Sequence, residues 1–259
     1  MSSTPAAQGE VPAGSSPSPQ QPHWNSELGI WEGGAPPHDE GFEVPKPLWI
    51  FGYGSLCWRN DDFSFVEKKT GKIQGFCRRF FQLSTDHRGT PTFPGRVATV
   101  IPVRGDQADS SWVVGVAYRI ADEEADKVLA YLDFREKGGY TRHLVDVSPL
   151  GGQESGSTEG PIRAVMYAGT EDNPAYSSFP DEGEELEKAV RQIHKAVGPS
   201  GPNVDYLRNV ATFLHSCGAE AEQLDHHTIG LADAVERLGG REGKAEGEEG
   251  IVSEDKKGG

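Results

Sequence analysis

The sequence has 259 residues with 40 acidic and 25 basic side chains, and its formal net charge of −15 argues against a nucleic-acid-binding protein, whose binding surface is usually basic. Three scattered cysteines do not form a disulfide framework, and no segment approaches the roughly 18 consecutive apolar residues of a membrane span. The start, MSSTPAAQGE, lacks the charged and apolar stretches of a signal peptide. We therefore expect a cytosolic protein.

Composition divides the chain into three parts. Residues 1–47 contain nine of the 18 prolines, and residues 239–259 contain seven glycines together with six acidic and four basic residues. Both segments have too little patterned apolar content to bury a core, so we expect them to be disordered tails. The segment 48–238 is long enough for one domain with a hydrophobic core.

Strand-like segments dominate the first half of this domain. Residues 49–53, 72–83, 96–103 and 112–120 are rich in branched and aromatic side chains, which predicts four strands. The turn residues of RGDQADS (104–110) join the last two segments, so we expect these two strands to form a hairpin.

Helical patterns follow from residue 122 onward. Residues 122–136 have an acidic first turn and end before two glycines, which predicts a helix, and 140–147 and 162–168 return to strand-like content. Three further helices are predicted, over 181–197, from an N-terminal cap at Asn203 to Gly218, and over 219–238. Strands followed by helices predict an α+β domain with a mostly antiparallel, barrel-like sheet and flanking helices.

The stretch WIFGYGSLCW (49–58) places two glycines at the end of an apolar strand. It lacks the third glycine of GxGxxG, and the patterns GxxxxGK[ST] and GxSxG are also absent, which disfavours a nucleotide loop and a nucleophile elbow. Two interpretations stay open. The segment is either an ordinary strand and turn, or a row of backbone N–H groups that binds a carboxylate.

The stretch YLDFREKGGY (131–140) contains the strongest candidate for acid–base chemistry. Glu136 is spaced to share a helix face with Leu129 and Leu132. An apolar face and the C-terminal end of a helix dipole both favour a raised carboxyl pKa, which suits a general acid–base. We expect the neighbouring Arg135 to point elsewhere. A frayed helix end or a buried ion pair with a nearby arginine is the alternative.

Two polar clusters invite other assignments. STDHRG (84–89) brings a serine, an aspartate and a histidine together, but a triad is assembled in space, so we expect a polar loop. The run Asp225-His226-His227 lacks the HExxH or CxxC spacing of a zinc site. We interpret it as a helix cap followed by two exposed imidazoles, and we expect no metal.

Seven segments together resemble the ChaC-like glutathione-specific γ-glutamylcyclotransferases. In chain order they are WIFGYGSLCW, RRFFQLSTDHRG, PGRVAT, GVAYRI, YLDFREKGGY, YAGTEDNPAY and GPSGPNVDYL. The resemblance covers the domain 48–238 and leaves both tails unexplained. It implies a cyclotransferase fold and a carbon–nitrogen lyase that cleaves glutathione into 5-oxoproline and L-cysteinylglycine without a cofactor or a metal.

The resemblance also implies a site. Glu136 corresponds to the family's general acid–base, and the loop that holds the γ-glutamyl group corresponds to Ile50, Phe51, Gly52, Tyr53, Gly54 and Ser55. For the distal glycine carboxylate of glutathione, the candidate contacts are Arg88 and Arg96.

Two alternative functions stay open. One is an amidohydrolase for γ-glutamyl amides that uses Ser55 or Cys57 with His87, and the other is a non-catalytic module that binds γ-glutamyl groups. For the favoured enzyme we expect glutathione as the small-molecule partner, no nucleic acid or membrane, and a monomer.

Overall fold

A computed structural model describes residues 23–25, 30–32, 38–39, 41–59, 61, 63–135, 140–151, 160–169, 171 and 173–254 of the protein. The strands are β1 (His23–Asn25), β2 (Ile30–Glu32), β3 (Trp49–Gly52), β4 (Glu67–Gln74), β5 (Phe76–Ser84), β6 (Gly95–Pro102), β7 (Trp112–Arg119), β8 (Tyr140–Pro149), β9 (Ile162–Gly169), β10 (Val197–Gly198) and β11 (Gly201–Pro202). The helices are α1 (Ala125–Arg135), α2 (Glu184–Lys195), α3 (Asn203–Ser216), α4 (Ala219–Leu224) and α5 (His226–Glu254).

Five strands close a barrel in the order β3-β7-β4-β8-β9. The pairing of β3 with β9 is parallel, and the other pairings in the barrel are antiparallel. Strand β7 is buried along almost its whole length, and Val113, Val116 and Tyr118 have no exposed surface. Such a strand is covered on both faces, which explains its nearly continuous apolar sequence. The predicted α+β fold with a barrel-like sheet is confirmed.

The pairing predicted for two of the strands is wrong. Strands β6 and β7 do not form a hairpin, because β6 pairs with β5 in a separate two-stranded sheet while β7 pairs with β3 and β4 inside the barrel. The strand predicted over 72–83 is also two strands, separated at Gly75, whose φ of 80° suits glycine. Local turn chemistry indicated where strands end, but the choice of partner depends on which faces the whole domain buries.

Helix α3 begins at the predicted residue for a different reason. The side chain of Asn203 does not cap the helix; its Oδ1 accepts from the Arg96 amide at 2.7 Å and its Nδ2 donates to the Arg96 carbonyl at 2.7 Å. This pair of bonds holds the start of α3 against β6. Leu207 and Leu214 are buried on the face that their spacing predicts.

One helix near the C-terminus differs from the prediction. The helix predicted over 219–238 is interrupted at Asp225, whose Oδ1 accepts from the Thr228 amide and so caps α5. Helix α5 extends to Glu254 within the segment 239–259, whose expected disorder stays a prediction. The segment's Glu, Lys, Arg and Ala residues favour helix, and its glycines oppose it. In the chain portions given above, no helix is both long and apolar enough to cross a bilayer.

Candidate active site

A cavity of about 610 Å³ opens where β3 ends. Its walls come from the loop after β3, the segment after β5, the last turns of α1, and side chains of β9 and α3. All six predicted binding residues, 50–55, line it, and so does Arg88. Segments far apart in the sequence therefore meet at one end of the barrel.

The loop after β3 is a tight turn with several anchors. A 3₁₀ helix spans Ser55–Cys57, and its first hydrogen bond runs from the Cys57 amide to the Gly54 carbonyl at 3.0 Å. The Tyr118 hydroxyl donates to the Leu56 carbonyl at 2.6 Å from the barrel side. Within the part of the chain that the structure describes, no backbone carbonyl accepts from the amides at positions 54–56. These amides precede the first bond of the turn and are available to a ligand.

Two glycines of this loop are required by close packing. A Cβ on Gly52 would lie 2.4 Å from the Cβ of Leu56, and a Cβ on Gly54 would lie 2.8 Å from the hydroxyl oxygen of Tyr206. Tyr206 is buried, lines the cavity, and accepts from the Ala98 amide at 3.3 Å. Both glycines therefore let the loop pack on itself and on α3.

Arg135 adds a basic side chain to the site that was not predicted there. It lines the cavity, and its Nη2 donates to Ser55 Oγ at 2.7 Å. Its orientation relative to Glu136 stays a prediction. Tyr131 and Phe134 of the same helix line the cavity as well, with 37% and 50% of their surface exposed. The last turn of α1 thus joins the binding loop directly.

A buried polar network holds this last turn of α1 from the other side. The Tyr53 hydroxyl donates to the Tyr167 carbonyl at 2.8 Å, and the Tyr167 hydroxyl donates to Asp133 Oδ1 at 2.6 Å. Burial raises the pKa of the Tyr167 hydroxyl, which therefore stays a proton donor to the carboxylate. Asp133 also forms an ion pair with Arg142 of β8.

Glu136 itself lies outside the described residues, as do 137–139. The structure does show what surrounds it in the chain. Leu129 and Leu132 are buried on the helix face that the spacing predicts, and Arg135, the preceding residue, is at the cavity wall. The raised pKa and the catalytic role of Glu136 stay predictions.

The comparisons with known proteins decide the family. A model of the ChaC-like protein family matches residues 48–238. The chain belongs to the ChaC-like family. Its similarity to a crystal structure of a γ-glutamylcyclotransferase specific to glutathione from yeast has a TM-score of 0.62 with 31% sequence identity, covering 73% of this chain and 96% of that one. The family resemblance and the cyclotransferase fold predicted from the sequence are confirmed.

Curated members of this family have names that state an activity. Human glutathione-specific γ-glutamylcyclotransferase 1 is 38% identical over 193 residues, which is 74% of this chain and 79% of that protein. The glutathione-specific γ-glutamylcyclotransferase of Saccharomyces cerevisiae is 32% identical over 228 residues, with 73% of this chain and 96% of that protein covered. γ-Glutamylcyclotransferase 2-3 of Arabidopsis thaliana is 38% identical over 193 residues, covering 74% and 89%.

The two arginines predicted to contact a distal carboxylate have different surroundings in this ChaC-like protein. Arg88 lines the cavity, is half-buried, and donates from Nη1 to the Pro202 carbonyl at 3.1 Å. Arg96 is not among the lining residues. It is 8% exposed, and its guanidinium donates to Gln192 Oε1 at 2.6 Å and to the Ser177 carbonyl at 2.7 Å. Arg96 therefore ties β6 to neighbouring segments, and Arg88 alone is retained as the candidate.

The groups needed for a protein nucleophile are not arranged for that role. Burial raises the pKa of the Cys57 thiol to about 12, and its Sγ lies 3.5 Å from the Gly52 carbonyl. Ser55 Oγ accepts a hydrogen bond from Arg135, while His87, which also lines the cavity, has its Nδ1 3.3 Å from Ser200 Oγ. An activated Ser–His or Cys–His pair requires the base to contact the nucleophile.

The run Asp225-His226-His227 serves the core. Asp225 is buried and forms an ion pair with buried Arg78, and His227 Nδ1 lies 2.6 Å from Asp181 Oδ1. His226 is exposed as predicted, but His227 is only 8% exposed, which corrects the prediction of two exposed imidazoles. Across the described ranges, no group of three His, Cys, Asp or Glu residues is arranged to hold a metal ion.

Arg135, Tyr167 and Tyr206 are among the cavity residues that were not predicted from the sequence. Each lies in a segment that carried the family resemblance, namely YLDFREKGGY, YAGTEDNPAY and GPSGPNVDYL. The available signal was that aromatic and basic residues recur in these segments beside glycine and proline. Their convergence on one cavity depends on the barrel topology, which single segments do not encode.

Proposed function

We propose that this ChaC-like protein is a γ-glutamylcyclotransferase that acts on glutathione and releases 5-oxoproline and L-cysteinylglycine. The observation that carries the proposal is the meeting of the loop 50–55 with Arg135 in a cavity of about 610 Å³. This volume is within the range of roughly 300–1,000 Å³ that is usual for small-molecule sites. The names of the curated relatives support the same substrate.

The proposed reaction needs no protein nucleophile. The α-amine of the γ-glutamyl group attacks its own side-chain amide carbonyl, a five-membered ring closes, and the bond to the cysteinyl nitrogen breaks. Holding reacting groups of one molecule in an attack geometry lowers a barrier by up to about 7–11 kcal/mol. The main task of the cavity is therefore to hold the substrate in a folded conformation.

The binding loop suits the γ-glutamyl head group. We assign its α-carboxylate to the amides at positions 54–56, which no described backbone carbonyl occupies, with the positive charge of Arg135 beside them. The oxyanion of the tetrahedral intermediate requires similar donors, and preorganised N–H groups are the usual solution. Ser55 contributes both its amide and the hydroxyl that Arg135 contacts.

Two proton transfers complete the proposed reaction. The substrate ammonium must lose a proton before its nitrogen attacks, and the departing cysteinyl nitrogen must gain one. We assign both to Glu136, since one carboxyl group with a raised pKa can first accept and then donate a proton. General acid–base catalysis of this kind typically contributes about 10²–10⁴-fold.

The other end of glutathione is proposed to face the segment after β5. Arg88 lies on that wall, and its guanidinium carbon is 5.7 Å from the centroid of the Tyr206 ring. A cation held by the Pro202 carbonyl and an aromatic ring is well placed to bind the glycine carboxylate. Loss of this contact is expected to weaken the binding of glutathione more than the binding of a substrate that lacks the glycine residue.

We also propose the bounds 48–238 for the catalytic domain, which are the residues that the family model matches. The proposal includes a monomeric protein that works in the cytosol without a metal or a cofactor. The scarcity of cysteines supports the cytosol, and the intramolecular chemistry supports the independence from metal and cofactor. Analytical ultracentrifugation at micromolar concentration tests the monomer, and a turnover assay in the presence of a chelator tests the independence from metal.

The decisive experiment is a product analysis. Full-length protein is incubated with glutathione, γ-Glu-Cys and γ-Glu-Ala, and the products are identified by mass spectrometry. We expect 5-oxoproline from glutathione. Free glutamate, which is one water heavier, would instead identify an amidohydrolase, and saturable glutathione binding without any product would identify a binding module.

A further inference from the structure

The binding loop and helix α1 are connected by contacts that form a closed path. In one direction, the Tyr53 hydroxyl donates to the Tyr167 carbonyl at 2.8 Å, and the Tyr167 hydroxyl donates to Asp133 Oδ1 at 2.6 Å. In the other direction, Ser55 Oγ accepts from Arg135 at 2.7 Å. Asp133 and Arg135 are two residues apart in the last turn of α1, so the helix backbone closes the path.

Asp133 is the one residue on this path that does not line the cavity, whereas the other four residues do. Its carboxylate is 17% exposed and binds the Arg142 guanidinium with both oxygens, Nε to Oδ1 at 3.0 Å and Nη2 to Oδ2. The ring of Phe42 covers the same guanidinium, with its centroid 5.9 Å from the guanidinium carbon. A two-pronged Arg–carboxylate pair defines an orientation as well as an attraction.

The two partners of this ion pair come from consecutive elements of the fold. Asp133 is two residues before the last residue of α1, and Arg142 is two residues after the first residue of β8. Tyr167, the third member of the cluster, lies opposite Arg142 on β9. The carboxylate therefore attaches the end of α1 to two barrel strands at once.

We propose that Asp133 is a positioning residue for the cyclotransferase reaction, which fixes the last turn of α1 against β8 and β9 and thereby sets where Arg135 meets the binding loop. This inference rests on the proposed function. It assigns to Asp133 a role in the reaction without contact to the substrate.

The role predicts a particular kinetic pattern. The binding loop keeps an anchor that is independent of Asp133, the bond from Tyr118 to the Leu56 carbonyl. The loop amides assigned to the α-carboxylate should therefore stay in place, and most of the substrate affinity should be retained although the Arg135 charge beside them is displaced. The end of α1 would lose its alignment, and a misplacement of about 1 Å at an active site can cost about 100-fold in rate. We therefore expect kcat to fall about tenfold or more while KM changes less than about threefold.

The test compares two variants with a matched control in the full-length protein. Asp133→Asn removes the charge while keeping the shape, and Arg142→Lys keeps the charge while losing the two-pronged geometry. The control is Asp146→Asn, which breaks an exposed ion pair with Arg163 at 3.0 Å between the same two strands. Initial rates of 5-oxoproline release give kcat and KM, and thermal unfolding reports the stability of each variant.

The expected result is a loss of kcat in Asp133→Asn and Arg142→Lys at nearly constant KM, with the Asp146→Asn variant equal to wild type. The double variant Asp133→Asn/Arg142→Lys should lose little more kcat than Asp133→Asn alone, because both changes disrupt the same ion pair. A kcat within twofold of wild type in both single variants would overturn the inference, and so would an equal loss in the control. If the wild-type protein releases no 5-oxoproline, the proposed function itself fails, and this result is distinguishable from the others.

Discussion

The contact between Gly54 and Tyr206 allows a quantitative prediction. In Gly54→Ala the new Cβ would lie 2.8 Å from the Tyr206 hydroxyl oxygen, which must move by roughly 0.5 Å or more to reach ordinary contact. Tyr206 is 6% exposed, and its ring packs edge-on against Trp58 with centroids 5.4 Å apart, so it has little room to move. Displacement breaks the bond from the buried Ala98 amide.

A buried donor without a partner costs about 1–3 kcal/mol. For a domain of this size, that loss lowers the unfolding temperature by roughly 2–12 °C, at about 2–4 °C per kcal/mol. Because Tyr206 also lines the cavity, KM for glutathione should rise in the same variant. Gly54→Val adds further bulk and is expected to abolish measurable glutathione binding.

A double-variant cycle separates steric conflict from other effects. The Cζ atom of Tyr206 is 4.0 Å from the position that a Cβ on Gly54 would occupy, so removing the hydroxyl relieves the conflict. We expect Gly54→Ala/Tyr206→Phe to be no less stable than Tyr206→Phe alone, measured by calorimetry, with Gly160→Ala as an uncrowded control. Additive losses in the cycle would refute the packing argument, as would an unfolding temperature of Gly54→Ala equal to wild type.

Three further predictions concern the chemistry. Glu136→Gln should lower kcat by about 10² or more while calorimetric binding of glutathione persists, and near-normal release of 5-oxoproline would contradict the acid–base role. Arg88→Ala should raise KM for glutathione about tenfold but leave KM for γ-Glu-Cys nearly unchanged, and equal effects on both substrates would remove Arg88 from the distal contact. Burial raises the pKa of Cys57 to about 12, so its thiol stays protonated at pH 8; iodoacetamide should label it only after unfolding, and rapid labelling of the native protein would contradict this.

Local patterns predicted the parts of the site that depend on short-range spacing. The helix face with Leu129 and Leu132 is buried as its periodicity requires, and the strand before the glycine-rich loop ends at Gly52. Such features repeat over one or two turns, so a few residues suffice to define them. The roles of Arg88 and Arg96 could not be separated in this way, because both are single arginines near strand ends.

The family, the α+β class and the loop that lines the cavity were predictable from the linear chain, because apolar periodicity and motif order are local properties. Three features follow only from the folded domain: β6 pairs with β5 and not with β7, Arg96 binds the protein's own carbonyls, and Arg135 contacts Ser55. These outcomes depend on which surfaces the whole domain buries together. A contact between residues 80 positions apart depends on the closed barrel, and no local pattern specifies it.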